Sequence, residues 1–249
     1  MISLYLWVAV GAAAAGFVQG LSGFAFSMVS LSVWAWALDP QLGAVLAIFG
    51  GWVGQVIAAF TMRRRVDKGL LWPFVAGGLC GLPVGLWLLP LLDVPAFNAA
   101  LGLVLVVCCP VMLMSARLPR VQRGGRVADA LAGAAGGVMG GIGGLSGVVP
   151  TLWCTLRGFD RDAQRAVIQN FNLAMLSVAL ALHVAAGHVT VAMLPLLAIV
   201  AAAVLVPVLL GARLYLGLSE LAFRRLVLSL LTVSGVAILA SALPALLQR

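Results

Sequence analysis

The chain has 249 residues, of which 63% are hydrophobic and 9% charged, and its mean hydropathy is +1.16. About a quarter of the residues in a soluble domain are charged, so this chain has too few polar side chains to cover a surface in water. Apolar runs of about 20 residues, which match the thickness of a bilayer core, recur along it. The composition predicts an all-α polytopic membrane protein. It excludes an outer-membrane barrel, whose strands alternate apolar and polar residues.

The formal net charge is +8, and its distribution predicts which loops are cytoplasmic. A nucleic-acid partner is excluded, because the basic residues form no contiguous face with interleaved aromatic residues. They lie in short clusters between apolar segments, as is typical of cytoplasmic loops. The clusters are Arg63, Arg64, Arg65 and Lys68; Arg117, Arg120, Arg123 and Arg126; Arg157, Arg161 and Arg165; and the stretch 213–225. The other connections carry only Asp39, Asp93 and His188, so they are expected outside, together with both termini.

In chain order, the apolar segments are 2–20, 23–38, 41–62, 70–92, 95–116, 127–142, 146–157, 165–186, 190–213 and 220–243. Two pairs of them are too short for ordinary spans. Each pair is split by the same tripeptide, Leu21-Ser22-Gly23 in the first and Leu145-Ser146-Gly147 in the second. Glycine weakens a helix, so these pairs are predicted to be broken or re-entrant helices.

The shared tripeptide belongs to an ordered series of matches that indicates internal duplication. The other matches are Ala44-Val45 before Phe49 with Ala166-Val167 before Phe171, Gly85 with Gly211, and Ala96-Phe97 with Ala222-Phe223. We therefore expect two halves of five apolar segments, residues 1–116 and 127–249, joined by a basic cytoplasmic linker at 117–126. The loop charges place the two halves in opposite orientations, so the chain is predicted to be an inverted repeat.

Inverted repeats with a broken helix in each half are typical of secondary transporters, whose half-helix ends offer backbone N–H groups to an anion. The breaks therefore give the first candidate binding residues: Gln19, Gly20, Ser22, Gly23, Gly144, Ser146 and Gly147. The alternative is that glycines four residues apart, such as Gly16 with Gly20 or Gly136 with Gly140, only allow helices to pack closely.

Three amides in the segment 165–186 are further candidates, because unpaired amides are costly in a membrane. They are Gln169, Asn170 and Asn172, of which Gln169 and Asn172 share a helix face. Such residues either hold helices together or line a polar path.

The sequence lacks the motifs that several other functions require. All Asp and Glu residues fall at segment ends or in loops, which disfavours cation transport and proton relays. There is no phosphate-binding loop for ATP, no Cys/His metal-binding spacing and no nucleophile–base–carboxylate set. We therefore expect no cofactor, no metal, no disulfide and no enzymatic activity.

The glycine-rich stretch Gly136–Pro150 (GGVMGGIGGLSGVVP) resembles the segment that opens the second half of the TauE/SafE sulfite exporter family, also called toluenesulfonate uptake permeases. Other residues that fit the family pattern are Val66-Asp67, Gly77, Gly81 and Gly85, then Arg165, Gln169-Asn170-Phe171, Gly187, Pro207, Gly211 and Phe223-Arg224. The resemblance implies passage of small sulfur-containing or organic anions, such as sulfite, sulfoacetate or sulfonates, across the bacterial inner membrane.

The residues and the resemblance together predict a secondary transporter of a small anion that works by alternating access. Its expected partners are the anion and the lipid bilayer, with a homo-oligomer possible. An anion channel, a membrane-embedded enzyme and a helical scaffold for a partner are the alternatives.

The loop charges give a direct prediction of sidedness. A cysteine placed at Arg64 or Arg123 should be protected from an impermeant thiol reagent in intact cells, whereas one at Asp93 or His188 should react. Reaction at the two arginine positions would reverse the topology and remove the basis of the inverted repeat.

Overall fold

The computed structural model of the chain describes residues 2–61, 67–114, 120–121, 124–214 and 220–247. Within these residues it contains ten α-helices and no strand, which confirms the predicted all-α class. The helices are α1 (Ile2–Ser22), α2 (Phe26–Trp34), α3 (Pro40–Thr61), α4 (Lys68–Leu88), α5 (Val94–Met114), α6 (Gly125–Gly143), α7 (Val148–Leu156), α8 (Arg161–Ala185), α9 (Leu194–Leu214) and α10 (Glu220–Leu247). Arg63 to Arg65, Arg117 and Arg123 of the basic clusters lie outside the described residues, whereas Lys68, Arg120, Arg126 and Arg213 are described and exposed.

Seven of the described helices are long and apolar enough to cross a membrane. The helices α2 and α7 have nine residues each, which at 1.5 Å per residue is less than half of a bilayer core. Trp34, at the end of α2, donates from its indole Nε1 to the carbonyl oxygen of Trp7 at 3.1 Å. The helix α2 therefore turns back along α1, and the broken pair predicted at the start of the chain is present.

Aspartate side chains fix where two of the long helices begin. Asp39 Oδ1 accepts a hydrogen bond from the Gln41 backbone N–H at 2.9 Å, and Asp160 Oδ1 accepts one from Asp162 at 3.0 Å. Such caps satisfy N–H groups that lack partners within the helix. The cap at Asp160 starts α8 four residues before the predicted segment 165–186. Arg165, which we expected among the loop charges, is therefore in the helix, and its side chain is buried.

Glycines bring the backbones of α4 and α6 into direct contact. A Cβ atom added at Gly77, Gly81 or Gly85 would meet the carbonyl oxygens of Ala130, Ala134 and Val138, respectively, and Gly133, Gly137 and Gly141 face backbone atoms of α4 in return. The residue numbers of the contacting positions rise together along α4 and α6, so the two helices run in the same direction. Such small-residue packing is the main route to close helix contact in lipid, where water does not drive helices together.

The same kind of contact joins α1 to α9, where Gly20 faces the backbone of Val208 and Gly211 faces the backbone of Phe17. The principal pairs between one of the first five helices and one of the last five are α1–α9, α4–α6, α5–α10 and α3–α8. These pairs show an exchange symmetry when α1 to α5 are matched in order with α6 to α10. Under this matching the pair α1–α9 becomes the pair α6–α4, and the pairs α5–α10 and α3–α8 each map onto themselves.

The close contacts predict that adding one methyl group at Gly81 disrupts the α4–α6 pair, because the new atom would overlap the Ala134 carbonyl. We expect Gly81→Ala to cost about 1–3 kcal/mol and to lower the melting temperature in detergent. The control is Gly43→Ala on α3, whose Cβ would lie 3.5 Å from Leu31 Cδ2 at an ordinary contact distance. Equal melting temperatures for the two variants would contradict this packing.

Candidate functional site

The first break separates α1 from α2 at Gly23, which has a φ of +85°, a conformation that favours glycine. Side chains from other helices bind the carbonyl groups that the break leaves without helical partners. Gln55 Nε2 of α3 donates to the Gly23 oxygen at 2.7 Å, and Arg165 Nη2 of α8 donates to the Gly20 oxygen at 3.0 Å. Gln19 Nε2 donates to the Gly51 oxygen at 2.9 Å, which ties the end of α1 to α3. The break is thus held by two amides and a guanidinium.

The second break separates α6 from α7 and also contains a left-handed glycine, Gly144, at a φ of +71°. Ser146 follows in the turn, and its Oγ donates to Asn172 Oδ1 of α8 at 2.9 Å. A Cβ atom added at Gly147 would lie 2.7 Å from Asn172 Nδ2 and 2.9 Å from Phe24 Cβ. The space beside Gly147 is therefore filled in this conformation.

The two breaks meet each other between α3 and α8. Phe24 of the first break reaches Gly147 of the second, and a Cβ atom added at Gly144 would lie 2.7 Å from Ser27 Oγ of α2 and 3.3 Å from Ile48 Cα of α3. On α8, Arg165 in the early turns contacts the first break, and Asn172, further along the helix, contacts the second break. The chain discontinuities of both halves thus form one polar region inside the helix bundle.

A narrow crevice runs from the first break to the ends of α3 and α9. It has room for about one water molecule in this conformation. Its lining residues are Gln19, Gly20, Gly23, Gly54, Gln55, Ala58, Thr61, Gln169, Val208 and Ala212. Four of the predicted site residues, Gln19, Gly20, Gly23 and Gln169, therefore share one cavity. Gln19 Oε1 is buried there without a protein hydrogen-bond partner.

The remaining predicted residues lie elsewhere. Ser22 is the last residue of α1, and its Oγ donates to the Val18 oxygen at 2.8 Å and accepts from the Ala25 N–H at 3.2 Å. The hydroxyl proton of Ser22 is therefore already donated to a carbonyl oxygen of the same helix. Asn170 is not among the residues that line the crevice, and its Nδ2 donates to the Ala166 oxygen of its own helix at 2.8 Å.

The two Leu-Ser-Gly tripeptides do not hold equivalent positions. Ser22 ends a helix, whereas Ser146 lies in the turn that follows Gly144 and precedes α7. The left-handed glycines Gly23 and Gly144, one in each break, stand at the same sequence separation as the capping residues Asp39 and Asp160. The two serines of the tripeptides stand a few residues further apart than these two glycines.

The crevice and its border contain two residues that were absent from the predicted site, Gln55 and Arg165. Gln55, an isolated amide in an apolar segment, is a weaker candidate of the same kind as the three amides of the segment 165–186. Arg165 could have been found from Asp160, since an N-cap there starts the helix early enough to carry Arg165 into the bundle. Its position on one face with Gln169 and Asn172, at intervals of four and three residues, follows from that start.

One carboxylate, that of Asp129, is buried near the start of α6. Asp129, in the second turn of α6, accepts a hydrogen bond from Trp153 Nε1 at 2.7 Å and pairs with Arg157 Nη2 at 3.5 Å. Both partners lie at the end of α7, so the group fastens α7 to α6. Asp129 is not among the residues that line the crevice.

A family model described as "Sulfite exporter TauE/SafE" matches residues 8–238 of the chain. The match covers nearly the whole sequence, including both breaks and all ten predicted site residues. The chain belongs to the TauE/SafE family. It is therefore a multi-pass membrane transporter, in agreement with its seven apolar helices. No curated protein and no solved structure matches it.

The contact of Ser146 with Asn172 predicts that Ser146→Ala destabilises the protein, because the buried Asn172 Oδ1 would lose its donor. We expect a loss of about 1–3 kcal/mol and a lower melting temperature in detergent. Ser32→Ala is the control, since Ser32 Oγ bonds only the Val29 oxygen of its own helix, at 2.8 Å. If Ser146→Ala melts at the temperature of the parent protein, this hydrogen bond does not stabilise the second break.

Proposed function

We propose that the protein is a secondary transporter of a small anion in the bacterial inner membrane and that it works by alternating access between two inverted halves. The anion is of the sulfite, sulfonate or carboxylate type. The observation that carries the proposal is the meeting of the two helix breaks between α3 and α8, next to a crevice that uncharged amide side chains line.

The helix directions support the inverted halves. The helices α4 and α6 run parallel, as do α1 and α9, where Gly16 faces Val204 and Gly20 faces Val208. The loop charges predict the same directions, because α4 and α6 both follow basic stretches, whereas α1 and α9 both begin on the side that is expected to be outside. The exchange symmetry of the helix pairs fits a pseudo-two-fold axis between residues 1–116 and 127–249.

The crevice indicates which side is accessible in this conformation. It extends from Gly23 to Thr61 and Ala212, at the ends of α3 and α9, next to stretches that carry the basic clusters. The contacts of Gly144 and Gly147 fill the space at the second break. We infer a conformation directed toward the cytoplasm, with the path to the other side closed. The crevice is too narrow for a sulfonate, so its walls must separate when the anion binds.

The groups in the site suit an oxyanion. Each side-chain amide of Gln19 and Gln169 has two N–H donors, of which Gln19 uses one for the Gly51 oxygen, and such donors bind an anion without adding charge. The glycines allow close approach. Ser146, Asn172 and the glycines of the second break form the wall nearer the outside, where their contacts reopen during the transport cycle. Ser22 acts indirectly, by holding the turn of the first break, and Asn170 by fixing the helix that carries Gln169.

The proposal is tested by transport of methanesulfonate and sulfite into liposomes that contain the purified protein. A transporter gives saturable uptake and counterflow from preloaded vesicles, whereas an anion channel gives a steady current that scales with voltage. An embedded enzyme would turn over its substrate in detergent, without two compartments. Absence of anion uptake and of counterflow in folded, correctly inserted protein would overturn the proposal.

The crevice predicts that Gln169→Leu weakens anion uptake, because the anion loses a hydrogen bond from an amide. A bond to a charged group is worth about 1.5–3 kcal/mol, so the concentration for half-maximal uptake should rise about tenfold to a hundredfold. The matched control is Gln41→Leu, which removes an amide from the first turn of α3 at the opposite end from the crevice. Equal uptake by both variants would remove Gln169 from the site.

A further inference from the structure

The side chain of Gln19 carries a hydrogen-bond acceptor that lacks a partner. Gln19 lies near the end of α1 and is 4% exposed. Its Nε2 donates to the Gly51 oxygen of α3 at 2.9 Å. Its Oε1 is buried and has no hydrogen-bond partner among the described residues. Buried polar atoms in native proteins are nearly always paired, because an unpaired one is costly. This oxygen therefore points to a donor from outside the chain.

The contacts with α3 fix the direction in which the Gln19 amide points. A carbonyl oxygen only accepts hydrogen bonds, so the Gly51 oxygen must face the amide nitrogen of Gln19 and not its oxygen. The amide oxygen then lies against Gly54, about one turn further along α3, where an added Cβ atom would overlap it. Gln19 and Gly54 both line the crevice. The unpartnered acceptor therefore belongs to the wall of the proposed anion site.

Two other side chains of the crevice wall direct their donors to backbone oxygens. Gln55 Nε2 donates to the Gly23 oxygen at 2.7 Å, and Thr61 Oγ1 donates to the Ile57 oxygen at 2.8 Å. The crevice has room for about one water molecule, which can serve as a donor while the crevice is narrow. When the walls separate and the transported molecule enters, that molecule must supply the donor instead.

A simple oxyanion cannot supply it. The oxygens of an alkanesulfonate only accept hydrogen bonds, so against Gln19 Oε1 they would bring two acceptors together and leave the amide oxygen unpaired. A site discriminates strongly between two ligands when only one of them pairs its buried polar groups. An anion with an O–H or N–H group meets both needs. Its acidic oxygens accept from the amide N–H groups, and its own donor binds Gln19 Oε1.

We propose that Gln19 Oε1 is a specificity-determining acceptor and that the transported anion carries a hydrogen-bond donor, an O–H or N–H group, in addition to its acidic group. This rests on the proposed function, whose substrate class it narrows. Anions without a donor, such as simple alkanesulfonates, then bind more weakly than hydroxylated anions of the same size and charge.

The experiment measures binding to the purified full-length protein by calorimetry with two matched pairs of ligands. Hydroxyethanesulfonate is compared with propanesulfonate, and hydroxypropanesulfonate with butanesulfonate. Within each pair the charge and the chain length are equal, and a terminal hydroxyl replaces a methyl group. In at least one pair, the hydroxylated member should bind the parent protein about fivefold to a hundredfold more tightly. Two chain lengths are used so that the hydroxyl is offered at two distances from the sulfonate.

Variants then assign the preference to Gln19. Gln19→Leu removes the acceptor, so the ratio of the two Kd values should fall to about one. It also removes the bond to Gly51, and Gln55→Leu is the matched control, because it removes a side-chain bond to the backbone of the same break and should keep the ratio. Gly54→Ala retains the amide but places a methyl group where its oxygen lies, so it should lower the ratio as well.

Three results would overturn the inference. The first is an equal Kd within both ligand pairs for the parent protein, which needs no variant to fold. The second is an unchanged ratio in folded Gln19→Leu or, if that variant does not fold, in Gly54→Ala. The third is a ratio that Gln55→Leu lowers as much as Gln19→Leu does, which would make damage to the break the common cause. Failure of the proposed function gives a different result, since the parent protein would then bind no member of either pair.

Discussion

Two helices are interrupted inside a membrane protein, where each interruption leaves backbone carbonyl and N–H groups without partners in the helix. Such groups are costly in hydrocarbon unless the protein supplies their partners. At the first break, Gln55 and Arg165 bind the carbonyls of Gly23 and Gly20, and at the second the Ser146–Asn172 pair lies against the turn. The helices α3 and α8, which carry three of these side chains, must therefore lie where the breaks are. The site follows from that requirement.

Close backbone packing is the second condition for this arrangement. The breaks can meet only if the helices that precede them are held firmly, and glycine contacts fasten α1 to α9 and α6 to α4. In each pair one helix comes from each half of the chain. A movement of α1 would therefore carry α9 with it, and a movement of α6 would carry α4. Glycine has thus two roles here: most residues of this type allow helices to touch, whereas Gly23 and Gly144 adopt left-handed conformations that reverse the chain.

Much of the fold could be predicted from the sequence, because membrane helices are marked by length and hydropathy. The apolar segments correspond to the ten helices, and both breaks were located to within a few residues. The site was harder to predict. Gln19, Gly20, Gly23 and Gln169 line one crevice, but a glycine motif does not reveal whether its space is open, as along the crevice, or filled, as at Gly147. Arg165 was hidden by the rule that places basic residues in loops, and the cap at Asp160 is what carries it into the bundle.

The central claim is that the crevice at the first break is the anion site and that it is reached from the side of the basic loops. The most direct test is the alkylation rate of a single cysteine at Ala58, which lines the crevice on α3, in a chain whose four native cysteines are replaced. In inside-out vesicles, saturating methanesulfonate should slow the reaction of this cysteine with an impermeant reagent. A rate that does not change with the anion, or labelling only from the opposite face of the membrane, would contradict the account.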